Sequence, residues 1–179
     1  MAVVIEDGSG RSDAEVYHDH DFLRDFVAAW GLGDASTVDD DDLEPAMRRG
    51  TLLFDSIYGI RFAGSPLSGS QALVFPMTGL INRRSFELPV LPLQVLQASA
   101  ILSWQEYRLP NSMFPAVTPG KTKKSITADK VSVEYDNTAG GLGFVTGARP
   151  ILSIVESILS PILSVSTGGR TLWGSVDRG

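Results

Sequence analysis

The sequence predicts a mainly α-helical fold: a small four-helix bundle with a short β-hairpin arm and extended termini. Three observations predict it. Residues 88–107 hold no charged residue from Leu88 to Gln105, and apolar residues recur at Leu91, Val95, Ala98 and Leu102. Three other segments repeat apolar residues at steps of three and four, the helical period. One later stretch, with Val131, Val133 and Tyr135 alternating with Ser132 and Glu134, has the period of two that marks a strand. Residues 1–165, including the arm at about 121–136, make one helical domain, and residues 166–179 make an extended tail.

Taken in order, residues 2–6 are a short β-prone run stopped by the turn former Asp7-Gly8-Ser9-Gly10. Ser12 or Asp13 is suited to cap a first helix, with Val16, Leu23, Phe26, Val27 and Trp30 as its stripe and Gly31 and Gly33 at its end. Asp39, Asp40, Asp41 and Asp42 place negative charge where the dipole of a second helix favours it, and Pro45 suits that helix's first turn. Its stripe is Leu43, Met47, Phe54, Ile57 and Tyr58. Gly50 sits in its interior at a cost of about 1 kcal/mol against alanine, which close approach of another helix would offset. Residues 64–86 read as a loop packed over the core through Leu73, Phe75 and Leu80.

The central helix follows, with Pro89 and Pro92 at its start and about 14 helical residues, too few for the ~20 of a membrane span. Residues 110–120 form a linker or ordered arm with three prolines. A β-hairpin follows, turning at Ala128-Asp129. Pro150 opens a last helix with Ile151, Ile154, Val155, Ile158, Leu159 and Ile162 on one stripe, and Pro161 ends it near Ser160.

The charge is polarised. Residues 1–44 carry a net −11 and residues 45–179 a net +5, within a total of −6 over 179 residues. Such a head disfavours wrapping the whole surface in duplex phosphates. It suits a molecule that offers different faces to different partners. No cysteine is present, which excludes disulfides and thiolate chemistry, and the opening residues lack the pattern of a signal peptide.

Catalytic and metal constellations fail one by one. GxSxG does not occur. His18 and His20, two apart on a helix, point about 200° from each other and cannot share an ion, so His18-Asp19-His20-Asp21 reads as a solvated helix start. Counting an EF-hand loop from Asp39 puts Glu44 where glycine is needed and Gly50 where glutamate is needed. Pro119-Gly120-Lys121-Thr122 lacks the earlier glycine of a phosphate loop, since Pro115 stands there. No enzyme, cofactor or metal site is expected. Lys121, Lys123 and Lys124 are the longest basic run, read as a solvated loop or as a contact with an acidic protein surface or nucleic acid. Trp173 reads as a tail residue or an anchor.

Segment order carries a resemblance. The opening VVIEDGSG, Tyr17 with Trp30-Gly31, Asp55-x-x-Tyr58, residues 71–79 (QALVFPMTG), Leu88-Pro89 with Pro92-x-x-Val95-x-x-Ala98, the SVEY ending of the β segment and the Gly-Gly-Arg tail follow one another along nearly the whole chain. In this it resembles a family of head–tail adaptor (connector) proteins of long-tailed bacteriophages, often labelled DnaT-like. Phe75, where tryptophan is expected, and the acidic run 39–42 depart from the pattern. The resemblance implies a structural subunit of the virion neck, assembled in the host cytoplasm. It implies a ring, a dodecamer, between the portal protein and the tail-side neck or stopper proteins, extending the channel through which duplex DNA passes without specific binding. On that reading Lys121, Lys123, Lys124, Arg170, Leu172 and Trp173 contact the portal or a neighbour, and Asp39, Asp40, Asp41 and Asp42 line the channel. The alternative expectation is a single-stranded DNA-binding protein, which needs a basic surface and stacking aromatics.

Overall fold

In the computed structural model, residues 2–112, 125–128, 131–134 and 153–163 are described. The fold is mainly helical. Four α-helices appear among these residues: α1 (His20–Ala29), α2 (Asp40–Tyr58), α3 (Leu93–Arg108) and α4 (Ser153–Leu159), with a 3-10 turn, Gly59–Arg61, continuing α2. Two short antiparallel pairs accompany them, β1 (Ser65–Pro66) with β2 (Met77–Thr78), and β3 (Ser125–Ala128) with β4 (Val131–Glu134). The expected hairpin is therefore present, with Ala128 opposite Val131 across its turn.

The uncharged stretch becomes α3, the hub. Pro92 is its N-cap, and its buried residues cover most faces, from Val95 through Trp104 to Glu106. α2 is its principal partner, while α1 and α4 each dock on it. This hub is a coarser arrangement than the bundle expected from the four periodic segments. Gly50 lets the two main helices touch: a Cβ there would stand 2.6 Å from the Ser103 Cα. Glu106, wholly buried, accepts from Arg49 Nε at 2.9 Å and from the Asn111 amide at 2.9 Å, closing the end of α3. Trp104 Nε1 donates to the Leu32 carbonyl at 3.1 Å, tying the α1–α2 connector to the same helix.

Three local expectations fail at element ends. α1 starts at His20, not near Ser12: Asp19 is the cap, its Oδ1 accepting from the Phe22 amide at 2.7 Å. The preceding residues are held as extended chain, because Ile5 bridges Val16 and the Val4 carbonyl accepts from the amides of Glu15 and Val16. His18 is accordingly not a solvated helix start but 2% exposed, between the Asp19 carbonyl and Ser103, and burial pushes its pKa down to about 4. Pro45 lies one turn inside α2, which the four aspartates begin earlier. The expected opening at Pro150 and the tail 166–179 lie outside the described residues.

The loop between α2 and α3 packs as expected, with Phe75 and Leu80 buried and Leu73 partly so. Polar pins hold it. Asp55 on α2 accepts from the Tyr17 hydroxyl at 2.5 Å and from the Val74 amide at 3.1 Å, and the Tyr17 oxygen accepts from the Phe75 amide at 3.1 Å. Gln71 Nε2 donates to the carbonyls of Leu73, Val74 and Pro76 around a cis Phe75–Pro76 bond. Glu6, buried, accepts from the amides of Gly8, Gly10 and Arg11, which folds the opening turn onto itself.

Candidate functional site

Between the buried Leu80 and the start of α3 the chain leaves the core and returns within seven residues. The Leu88 amide donates to the Leu80 carbonyl at 2.9 Å, and Ile81 bridges Glu87 above it. Asn82 builds the tip. Its amide donates to the Phe86 carbonyl and its carbonyl accepts from the Ser85 amide, both at 2.9 Å. Its side-chain Oδ1 accepts from the amides of Arg84 at 2.9 Å and Phe86 at 3.0 Å. An asparagine that satisfies neighbouring amides in this way fixes a turn, and Ser85 takes the left-handed conformation (φ 63°) that such a turn needs.

The tip therefore has a defined backbone, and what it presents is unusual for a surface. Phe86 is 66% exposed and Ile81 61% exposed, while Arg83 and Arg84 are exposed between them. Neither arginine makes an ion pair with another described residue. This contrasts with Arg24, Arg48, Arg49 and Arg61, each committed to a carboxylate. Two exposed arginines without an ion pair among the described residues, on the same turn as an exposed aromatic residue, match the two needs of a flexible polyanion with planar bases: charge for phosphates and a face for stacking. A second pin fixes the tip from outside, since the Arg83 amide donates to the Pro161 carbonyl at 3.2 Å, just past α4.

The opposite charge gathers elsewhere. Asp39, Asp40, Asp41 and Asp42 are exposed at the start of α2, around an open depression shared with Arg24 and residues 36–38. Arg24 bonds Asp40 Oδ1 at 2.5 Å and the Val38 carbonyl at 2.7 Å, and that bond holds the Asp40 carboxyl below the usual range. Lys121, Lys123, Lys124, Arg170, Leu172 and Trp173 lie outside the described residues. Of the expected site residues only Asp39, Asp40, Asp41 and Asp42 are described, and they sit together at the start of α2; the tip at 81–87 escaped the sequence reading. A usable signal was there: Asn-Arg-Arg-Ser-Phe is a turn former followed by two cations and an aromatic residue.

A family described as "Putative DnaT-like ssDNA binding protein" matches residues 1–179, the full length of the chain. The chain belongs to that family. No curated protein and no solved structure matches it. The match corrects the resemblance to bacteriophage head–tail adaptors, because the family is described by single-stranded DNA binding and not by a place in a virion neck. The physical reason for the misreading lies in the segments that carried it. Tyr17, Asp55, Gln71 and Glu6 of the opening VVIEDGSG are polar pins that hold the fold, and such residues mark a shared fold, not an assembly. The portal-contact and channel-lining roles rested on that resemblance alone.

Proposed function

We propose that this DnaT-like chain binds single-stranded DNA through the tip at residues 81–87. The observation that carries the reading is that one turn fixed by Asn82 carries an exposed Phe86 and the exposed Arg83 and Arg84. The family description supports the same chemistry. A base stacks on Phe86, and the two guanidinium groups take the flanking phosphates. Duplex DNA, whose bases already stack on each other, gains nothing from Phe86 and binds less well. The acidic residues of the first 44 repel the strand's phosphates.

The test is fluorescence anisotropy with a labelled oligothymidylate, repeated over a salt series and against a duplex of equal length. Phe86→Ala should weaken binding by about tenfold, since stacking of one base on an aromatic side chain is worth ~1–3 kcal/mol. Replacing Arg83 and Arg84 together by serine should lower the salt slope by about 1.4, the expectation for two phosphate contacts on a single strand. Thermal stability should barely move, because all three side chains are exposed. Binding that is absent at low salt, or that ignores these substitutions, rules the tip out.

A further inference from the structure

The tip's geometry depends on an element far away in sequence. α4 buries Val155 and Leu159, with Ile162 and Leu163 buried just after it. Its one charged side chain, Glu156, forms a two-pronged ion pair with Arg61, whose Nη1 and Nη2 donate to Oε1 at 2.6 Å and Oε2 at 2.9 Å. Arg61 also lies over the Tyr58 ring, 5.3 Å from its centre. α4 is thus locked to the 3-10 turn after α2. Five residues after Glu156, the Pro161 carbonyl accepts from the Arg83 amide. Arg83 is the first of the two basic residues of the tip. Asn82 organises the turn internally, but its orientation on the body is set by this contact and by the Leu80–Leu88 closure beneath it.

We infer that α4 is a clamp that sets the tip's affinity for single-stranded DNA, with Glu156 and the Pro161 carbonyl as positioning groups for Arg83. This inference rests on the DNA-binding reading above and adds a control element to it. An ordered tip binds without losing side-chain freedom at that step, so releasing the clamp weakens binding without removing any contacting group. The sign makes the idea testable. Replacing Glu156 by glutamine removes a negative charge, which by electrostatics alone would tighten DNA binding. Weakening can only come through position.

The experiment uses the full chain, its Glu156→Gln variant, and a charge-swapped variant, Arg61→Glu with Glu156→Arg. Amide hydrogen exchange at Arg83 and anisotropy with labelled oligothymidylate are the two readouts, with circular dichroism confirming that each variant is folded. In E156Q, exchange at Arg83 should rise about tenfold, as for loss of one ordinary hydrogen bond. Affinity should fall roughly threefold to tenfold, the effect of ordering one or two side chains at binding. The charge swap should restore both. Unchanged Arg83 exchange in E156Q, tighter binding in E156Q, or a swap that restores neither readout overturns the clamp. If E156Q does not fold, the swap decides by itself: native exchange and affinity support the clamp, and loss of either overturns it. Absence of oligothymidylate binding by the unaltered chain overturns the DNA reading and, with it, the clamp's control of affinity. Exchange at Arg83 then still shows whether α4 holds the tip.

Discussion

Asp55 shows how one side chain is pulled two ways. Burial raises its pKa, hydrogen bonds from Tyr17 and Val74 lower it, and burial wins, leaving it at about 6. In the unfolded chain the same group ionises near its ordinary value of 3.8. Its contribution to stability is therefore present below about pH 3.8 and is lost as pH rises through about 6, a full loss of about 3 kcal/mol. The ion-paired Glu15 and Glu156, held below the carboxylate range by Arg48 and Arg61, act in the opposite sense and lose their contribution as pH falls. The clean measurement is a difference. Asp55→Asn has no proton to lose, so its stability minus that of the unaltered chain should climb by about 2 kcal/mol between pH 4 and pH 7 in denaturant titrations. A flat difference would show that Asp55 ionises normally. Tyr17→Phe should cost about 1–3 kcal/mol at any neutral pH, because the buried Phe75 amide loses its acceptor.

At the scale of elements, the α2–α3 crossing decides most. Glycine inside an exposed helix is a defect that alanine repairs by about 1 kcal/mol. At Gly50 the sign reverses, because a methyl group would meet the Ser103 backbone nitrogen at 2.5 Å and its Cα at 2.6 Å, and backbone cannot turn aside. Gly50→Ala should destabilise by roughly 1–3 kcal/mol, read as a lower thermal midpoint. A higher midpoint would mean that the two helices can separate without loss. This contact and the start of α3 were readable beforehand, since an interior glycine asks for a close neighbour and Pro92 presets a first turn. The start of α1 was not. His18 looks like a surface residue in sequence, and pairing of residues 4–6 with residues 15–16 keeps Tyr17 and His18 out of the helix and buried.

Along the whole chain the charge is uneven, with an acidic first 44 residues and, among the described residues, a tip whose two arginines form no ion pair. Changing Asp39, Asp40, Asp41 and Asp42 together to asparagine should have two effects. The thermal midpoint should drop modestly, because the α2 dipole loses its first-turn carboxylates. Oligothymidylate binding should tighten by about twofold to tenfold in dilute buffer, and the gain should vanish near 0.5 M salt, where charges are screened within a few ångströms. Unchanged affinity in dilute buffer would show that the head does not act on the strand. No helix among the described residues is long and apolar enough to cross a membrane, in keeping with a central helix interrupted by polar side chains such as Gln94, Gln97 and Gln105.

By itself the sequence determined the helical class, the central position of residues 93–108, the hairpin at 125–134 and the polarity of charge, because each follows from local periodicity or a simple count along the chain. Only the tertiary structure decided which polar residues face inward and which arginines find a carboxylate among the described residues. Asp55 and Glu106 look like surface carboxylates until their partners, 38 and 57 residues away, are in place. Arg83 and Arg84 look like any loop cations, and only the described ion pairs, none of which includes them, set them apart from Arg24, Arg48, Arg49 and Arg61. Burial and partnership depend on contacts distant in sequence, which a local pattern does not contain.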